Sequence, residues 1–196
     1  MKEYNEAEMG KADVKLIIVG DTASGKSKLV ERFLLDNFEQ RQLSTYALTM
    51  YRHVARVDGK PLKVDIWDTA GQEQYNNLHP SYYFMANCCI LVFDVTRKTT
   101  YDNLKRWYAE IREQCPNIPT VLVANKIDVK PEVTSKKFQF AEKNGLPFYF
   151  ASAADGTNVV RIFEDCLALA LQNREHPGDS YLKDVLEVLG DDEIFR

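Results

Sequence analysis

The sequence predicts an α/β domain with a mostly parallel sheet and helices on both faces. Three observations carry that expectation. Apolar runs alternate with amphipathic ones almost throughout. Runs such as "CCILVFDVT" (88–96) are continuously apolar, as expected of strands covered on both faces. The first apolar run ends at a loop with two glycines and leads directly into a helical pattern. A chain of 196 residues, 45% hydrophobic and 28% charged, suits one soluble domain with a real core.

The elements follow in order. "VKLIIVG" (14–20) reads as a strand, then a helix with Val30, Phe33 and Leu34 on one face. "ALTMYRHVARVDGKPLKVDIWDTAG" (47–71) holds two strands joined at Asp58-Gly59, a hairpin signal. The buried strand "CCILVFDVT" precedes a helix marked by Leu104, Trp107, Tyr108 and Ile111. "TVLVANK" (120–126) and "LPFYFAS" (146–152) read as two more buried strands, with a helix from Val133 to Lys143 between them. Val160, Phe163, Leu167 and Ala170 mark a last domain helix. Pro and Gly in "HPGDS" (176–180) end the domain. Residues 1–11 are expected to be a flexible N-terminus. Beyond 173 lies an acidic tail, with Leu182, Val185, Leu186 and Leu189 at helical spacing.

Composition excludes several classes. A net charge of -4 argues against nucleic acid as the main partner, because phosphate binding leaves a basic footprint. No apolar run reaches the ~20 residues of a membrane helix. The polar start "MKEYNEAEMG" is neither signal nor transit peptide and lacks the glycine that myristoylation needs. The four cysteines, Cys88, Cys89, Cys115 and Cys166, show no CxxC spacing and imply a reducing setting, cytosol or nucleus, of which the cytoplasm is the expected location. His53, His79 and His176 have no metal-ligand spacing.

Three motifs carry chemistry. Gly20 to Ser27, "GDTASGKS", fits G-x-x-x-x-G-K-S between a strand and a helix. Backbone N–H groups of such a loop curl around an anion, and the helix N-terminus adds partial positive charge. Thr22, Ala23, Ser24, Gly25, Lys26, Ser27 and Lys28 are the expected phosphate-side residues; Lys26 reaches the β and γ phosphates and Ser27 offers oxygen to Mg²⁺. Asp68-Thr-Ala-Gly71-Gln72 ends another strand. Asp68 there can hold Mg²⁺ through water, Gly71 frees its N–H for a γ-phosphate, and Gln72 can position an attacking water. Asn125-Lys126-Ile-Asp128 follows a third strand. Asp128 can accept two hydrogen bonds from guanine, for which adenine has no matching donors. Asn125 can tie this loop to the phosphate loop, and Lys126 can lay its stem along the base. In this order the three motifs point to GTP/GDP with Mg²⁺.

"GDTASGKS", "WDTAGQE", "ILVFDVT", "NKID" and "SAADGTN" make the chain resemble a Ras-superfamily small GTPase of the Rab type over residues 12–173. "QLSTYALTMYRHVARVDG" and "FASAADGTNVV" further resemble the Rab-like protein 2 family, an atypical branch associated with cilia and basal bodies. The resemblance implies a P-loop NTPase fold with a six-stranded sheet. By position it places Phe38 on the guanine edge and gives Thr45 to Mg²⁺ and the γ-phosphate. It places Ser152, Ala153 and Ala154 at the base. It makes Met50, Trp67 and Tyr82 an apolar patch read by effector proteins. It also implies activating and exchange partners, and among effectors the intraflagellar transport and basal-body proteins, at the ciliary base. The chain is expected to be a monomer.

The departures from that pattern carry expectations of their own. The usual S-A-K reads Ser152-Ala153-Ala154, so base contacts are expected to be looser and exchange faster. Switch I reads Thr45-Tyr-Ala-Leu-Thr-Met50, with Tyr46 and Ala47 in unusual places, and Gln42 stands where a tyrosine often covers the phosphates. The end "GDDEIFR" carries no cysteine to prenylate, so no direct lipid anchor is expected. No arginine is recognisable as a catalytic finger in cis, which implies slow unassisted hydrolysis. The resulting expectation is a GTP/GDP switch with Gln72 and Lys26 as its catalytic residues. Two rivals stand beside it: a nucleotide-bound scaffold that hydrolyses negligibly, and a P-loop kinase or ATPase, disfavoured by Asp128 and the short chain. The tail stripe Leu182 to Leu189 is either packed back on the domain or a partner-binding helix.

Overall fold

The structure is a computed structural model that describes residues 11–35, 48–57, 59–69, 71 and 82–175. In chain order its elements are β1 (Val14–Val19), α1 (Lys26–Leu35), β2 (Leu48–Val57), β3 (Lys60–Thr69) and β4 (Cys88–Asp94). There follow α2 (Lys98–Asp102), α3 (Leu104–Gln114), β5 (Thr120–Asn125), a 3₁₀ turn (Pro131–Ser135), α4 (Gln139–Asn144), β6 (Phe148–Ala151) and α5 (Val159–Glu175).

The six strands form one sheet in the order β2-β3-β1-β4-β5-β6. Only β2 runs antiparallel, against β3. Val57 pairs with Lys60, and Gly59 takes φ +77° in the hairpin turn between them, as the Asp-Gly signal requires. All other neighbours are parallel. Their C-terminal ends therefore share one edge. The neighbours of β1 are β3 on one side and β4 on the other, which opens the crevice where α/β sheets bind ligands.

Alternation along each strand divides the core in two. Leu16, Ile18, Ile66, Cys88 and Ile90 face α1 and α5, packing on Leu29, Ile162, Phe163 and Cys166. Ile17, Val19, Cys89, Leu91 and Phe93 face the other way, toward Leu104, Trp107 and Ile111 of α3. The adjacent cysteines thus serve opposite faces as small buried side chains. Phe33 of α1 stacks on Phe163 of α5, centroids 4.3 Å apart, and locks the two helices together.

Three expectations change. The helix expected over Val133–Lys143 is broken into the 3₁₀ turn and α4. The Thr134 and Ser135 hydroxyls donate back to the carbonyls of Pro131 and Glu132, and Lys136 is extended. The strand in "LPFYFAS" is the sheet edge, so Phe148, Tyr149 and Phe150 are half-buried rather than enclosed. In α5 the buried stripe starts at Val159, and Val160 faces solvent.

Candidate functional site

The loop from Gly20 to Gly25 joins β1 to α1 at the ligand edge of the sheet. Gly20 has φ +138°, and a Cβ there would lie 2.2 Å from the Val92 carbonyl oxygen. Gly25 has φ +97°, and a Cβ would lie 2.2 Å from Asn125 Nδ2. Both positions therefore need glycine for space as well as for backbone angle. Lys26 opens α1 and is buried; its Nζ donates to the carbonyls of Gly20 (2.8 Å) and Asp21 (3.0 Å). Burial pulls the Lys26 ammonium down to about 8, with Asp68 and Asp21 opposing the shift. An anion in the loop would favour the charged form. Ser24 Oγ is buried with no hydrogen-bond partner among the described residues.

Ser27 Oγ donates to Asp68 Oδ2 at the end of β3. Register puts Asp68 beside Ile18, and Thr69 Oγ1 donates to the Ile18 carbonyl at 2.7 Å, which fixes the strand end. A hydroxyl and a buried carboxylate side by side, both oxygen ligands, fit a hard divalent cation such as Mg²⁺. Gly71 lies against the loop backbone, since a Cβ on it would come within 2.3 Å of the Thr22 nitrogen. Lys28 is committed to Glu31 within α1 at 2.6 Å.

Every loop residue from 21 to 24 is held from outside. Asp21 accepts from Asn103 Nδ2 (2.7 Å) and Trp107 Nε1 (2.8 Å). The Thr22 carbonyl accepts from Arg97 Nη2 at 2.6 Å. The Ala23 carbonyl accepts from Lys126 Nζ at 2.8 Å, and the Ser24 carbonyl from Asn125 Nδ2 at 2.9 Å. The two cations share one counter-charge. Asp94, buried at the end of β4, meets Lys126 Nζ at 2.7 Å and Arg97 Nε at 3.1 Å. Burial would push the Asp94 carboxyl up, but bonds from Lys126 and Thr96 outweigh it and hold the group below its usual range.

The base-side loops meet across the same edge. Asn125 is buried and accepts from the Ala153 N–H at 3.2 Å, so one amide joins three loops. Lys126 adopts φ +71°, turning the chain sharply before Asp128. Asp128 is exposed, with Oδ1 accepting from Ser152 Oγ at 2.7 Å; the argument from a buried carboxylate therefore applies once a base covers it. Arg32 of α1 donates to the carbonyls of Ala153 (3.0 Å) and Ala154. That loop has lost the family's lysine but is pinned from beneath by an arginine.

The structure brings together Thr22, Ala23, Ser24, Gly25, Lys26, Ser27, Asp68, Gly71, Asn125, Lys126, Asp128, Ser152, Ala153 and Ala154. Phe38, Gln42, Thr45, Tyr46, Ala47 and Gln72 lie outside the described residues, as do residues 1–10 and 176–196. The expected effector patch is only partly present. Met50 is exposed and pairs across the ladder with half-buried Trp67, but Tyr82 is 3% exposed and belongs to the interior. Sequence reasoning missed Asp94, Arg97, Asn103, Trp107 and Arg32. One signal was available: Asp94 is the only charged residue in the otherwise apolar β4.

Comparison with known proteins agrees with this geometry. The family model described as "Ras family" matches residues 15–172. The chain is 54% identical over 189 residues to Rab-like protein 2A of Pongo abelii, covering 94% of this chain and 82% of that one. It is 58% identical over 177 residues to Rab-like protein 2A of Mus musculus (90% and 79%). To Rab-like protein 2B of Homo sapiens it is 56% identical over 179 residues (89% and 78%).

Proposed function

The chain belongs to the Ras family and is a Rab-like small GTPase; from that premise we propose a slow GTP/GDP switch that recruits effectors in its GTP state. The observation that carries the reading is the convergence of Lys26, the Ser27–Asp68 pair, Gly71 and Asp128 on one sheet edge. Ser27 and Asp68, with Thr45 by resemblance, would hold Mg²⁺, which when bound neutralises phosphate charge. Lys26 leaves the carbonyls of Gly20 and Asp21 for phosphate oxygens. Asp128 accepts from the guanine ring N–H and amino group while Ser152 Oγ, donating to Oδ1, holds the carboxylate in place. Gln72 positions the attacking water. Thr45 and Gly71 hold the γ-phosphate in common, so hydrolysis releases both of their segments.

Arg97 is the arginine nearest the phosphate loop among those described, but it is spent on the Thr22 carbonyl and Asp94. That commitment supports slow unassisted hydrolysis and an activating partner acting in trans. The segments "QLSTYALTMYRHVARVDG" and "FASAADGTNVV" support a cytoplasmic role at the ciliary base in intraflagellar transport. Met50 and Trp67 would contribute to the effector surface.

Binding to purified intraflagellar transport proteins, compared with GDP and with a non-hydrolysable GTP analogue loaded, tests the reading. Binding to the GTP form alone supports the switch. Equal binding to both forms, with negligible hydrolysis, supports the scaffold instead. The base assignment has its own check: Asp128→Ala should cut the preference for GTP over ATP by on the order of 10²-fold or more.

A further inference from the structure

A cleft of about 890 Å³ opens at the end of the sheet opposite the phosphate loop. Its walls are the start of β1 (Ala12 to Lys15), the turn before β4 (Phe84 to Asn87), the chain before β5 (Cys115 to Ile118) and the end of α5 (Asn173 and Arg174). Phe84 is 65% exposed and Met85 60% exposed. Met85 holds φ +56°, a conformation that costs a side-chain-bearing residue energy. Two large apolar groups thus stand in solvent on a strained turn.

We propose that this cleft is the docking site of the chain's own segment 176–196, seated through Leu182, Val185, Leu186 and Leu189. Continuity is the first support. The last residues of α5, Asn173 and Arg174, line the cleft, and α5 ends at Glu175. The five residues "HPGDS" can span at most about 17 Å, so the stripe starts within reach of the cleft mouth.

Charge is the second. The cleft carries Lys11, Lys15, Arg52 and Arg174 against Asp13 and Asp65. Both carboxylates face cations already, Asp65 on Arg52 at 2.7 Å and Asp13 on Arg174 at 3.4 Å. The cleft therefore carries excess positive charge. From Glu175 to Arg196 the sequence has seven acids and two bases, the complementary sign. The third support is need: an isolated helix of this length is marginal in water, and its apolar stripe requires a surface.

Cys115 supplies the test. It lines the cleft and is half-buried, while Cys88, Cys89 and Cys166 are wholly buried. Burial pushes the Cys115 thiol up, so alkylation is followed near pH 8.5. In the full chain with Leu182→Asp and Leu186→Asp, Cys115 should be alkylated roughly fivefold faster or more. A synthetic peptide of residues 176–196, added to that variant, should restore protection; a scrambled peptide of the same charge should not. Labelling of the three buried thiols reports unfolding and separates that artefact. Equal Cys115 rates in wild type and variant overturn the proposal. Protection that grows with protein concentration also overturns it, because the occupant is then a second copy's segment.

Discussion

Asp94 holds two cations, and each carries on to a carbonyl of the phosphate loop: Lys126 to Ala23 and Arg97 to Thr22. The N–H groups of that loop must point inward at an anion, so its carbonyls point outward and need donors of their own. Removing the Arg97 donor should loosen the loop without touching the bound nucleotide. Charged hydrogen bonds contribute about 1.5–3 kcal/mol, less for a partly exposed arginine, so Arg97→Ala should release GDP roughly three- to tenfold faster. Arg97→Lys should recover part of the effect, because lysine can reach only one of the two acceptors at a time. Stopped-flow release of a fluorescent GDP analogue measures this, and an unchanged rate would show that the brace is idle.

Lys15 gives a pH prediction at the same scale. Its Nζ lies 3.4 Å over the Trp67 ring and donates to the Phe84 carbonyl at 2.9 Å. Burial lowers it to about 8, with Cys115 and Asp65 opposing the shift. The neutral amine therefore accumulates above pH 8, whereas unperturbed lysines stay protonated to about 10.4. Competitive acylation read by mass spectrometry should show Lys15 reactivity inflecting near pH 8. The linkage has a defined sign. Between about pH 8 and 10.5 the unfolded chain keeps a proton that the folded one has lost, so this group's contribution to stability rises with pH across that window.

Among the elements, α3 is tied to the phosphate loop by the Trp107 indole and by Arg106, whose Nη2 lies 3.7 Å from Asp21 Oδ1. Trp107 is buried among Leu91, Ile111 and their neighbours, while its Nε1 donates to Asp21. Trp107→Phe keeps most of the apolar burial and deletes the donor. Asn103 and Arg106 still serve Asp21, so stability should fall by only about 1 kcal/mol. GDP release should nevertheless quicken severalfold. A loss of stability with an unchanged release rate would make Trp107 a packing residue alone. Phe163→Ala is the contrasting change: it removes the ring stacked on Phe33 and should cost about 3–5 kcal/mol in denaturant unfolding.

Elements were legible where pattern and packing agree. The burial of β4 and β5 is that of their apolar runs, and α3 follows its spacing of Leu104, Trp107 and Ile111. The break before α4 was not legible, because periodicity in "PEVTSKKFQFAEKN" does not register hydroxyls competing for the backbone. Nor was the edge position of β6, since apolar content cannot tell a central strand from an edge strand whose Phe148 and Phe150 rings rest against Phe138. In the site, the glycines and the lysine announced themselves by spacing. Arg97 and Arg32 did not, since each acts through a contact 75 or more residues away in sequence.

At the scale of the whole molecule, the sheet carries two sites on opposite edges. The nucleotide edge joins the ends of β1, β3, β4, β5 and β6, so loops distant in sequence are held on one rigid platform. The far edge carries the apolar cleft beside the end of α5. The turn Phe84 to Asn87 closes that cleft and lies close in sequence to Gly71, the residue packed on the phosphate loop.

In the proposed switch, GTP is hydrolysed slowly and Gln72 places the water. Single-turnover hydrolysis on purified protein, wild type beside Gln72→Leu, tests it most directly. The wild-type rate should be on the order of 10⁻⁴ to 10⁻³ per second, as for Ras without an activating protein, and should fall roughly tenfold or more in the variant. Equal rates in wild type and variant, or hydrolysis of ATP as readily as GTP, would contradict it.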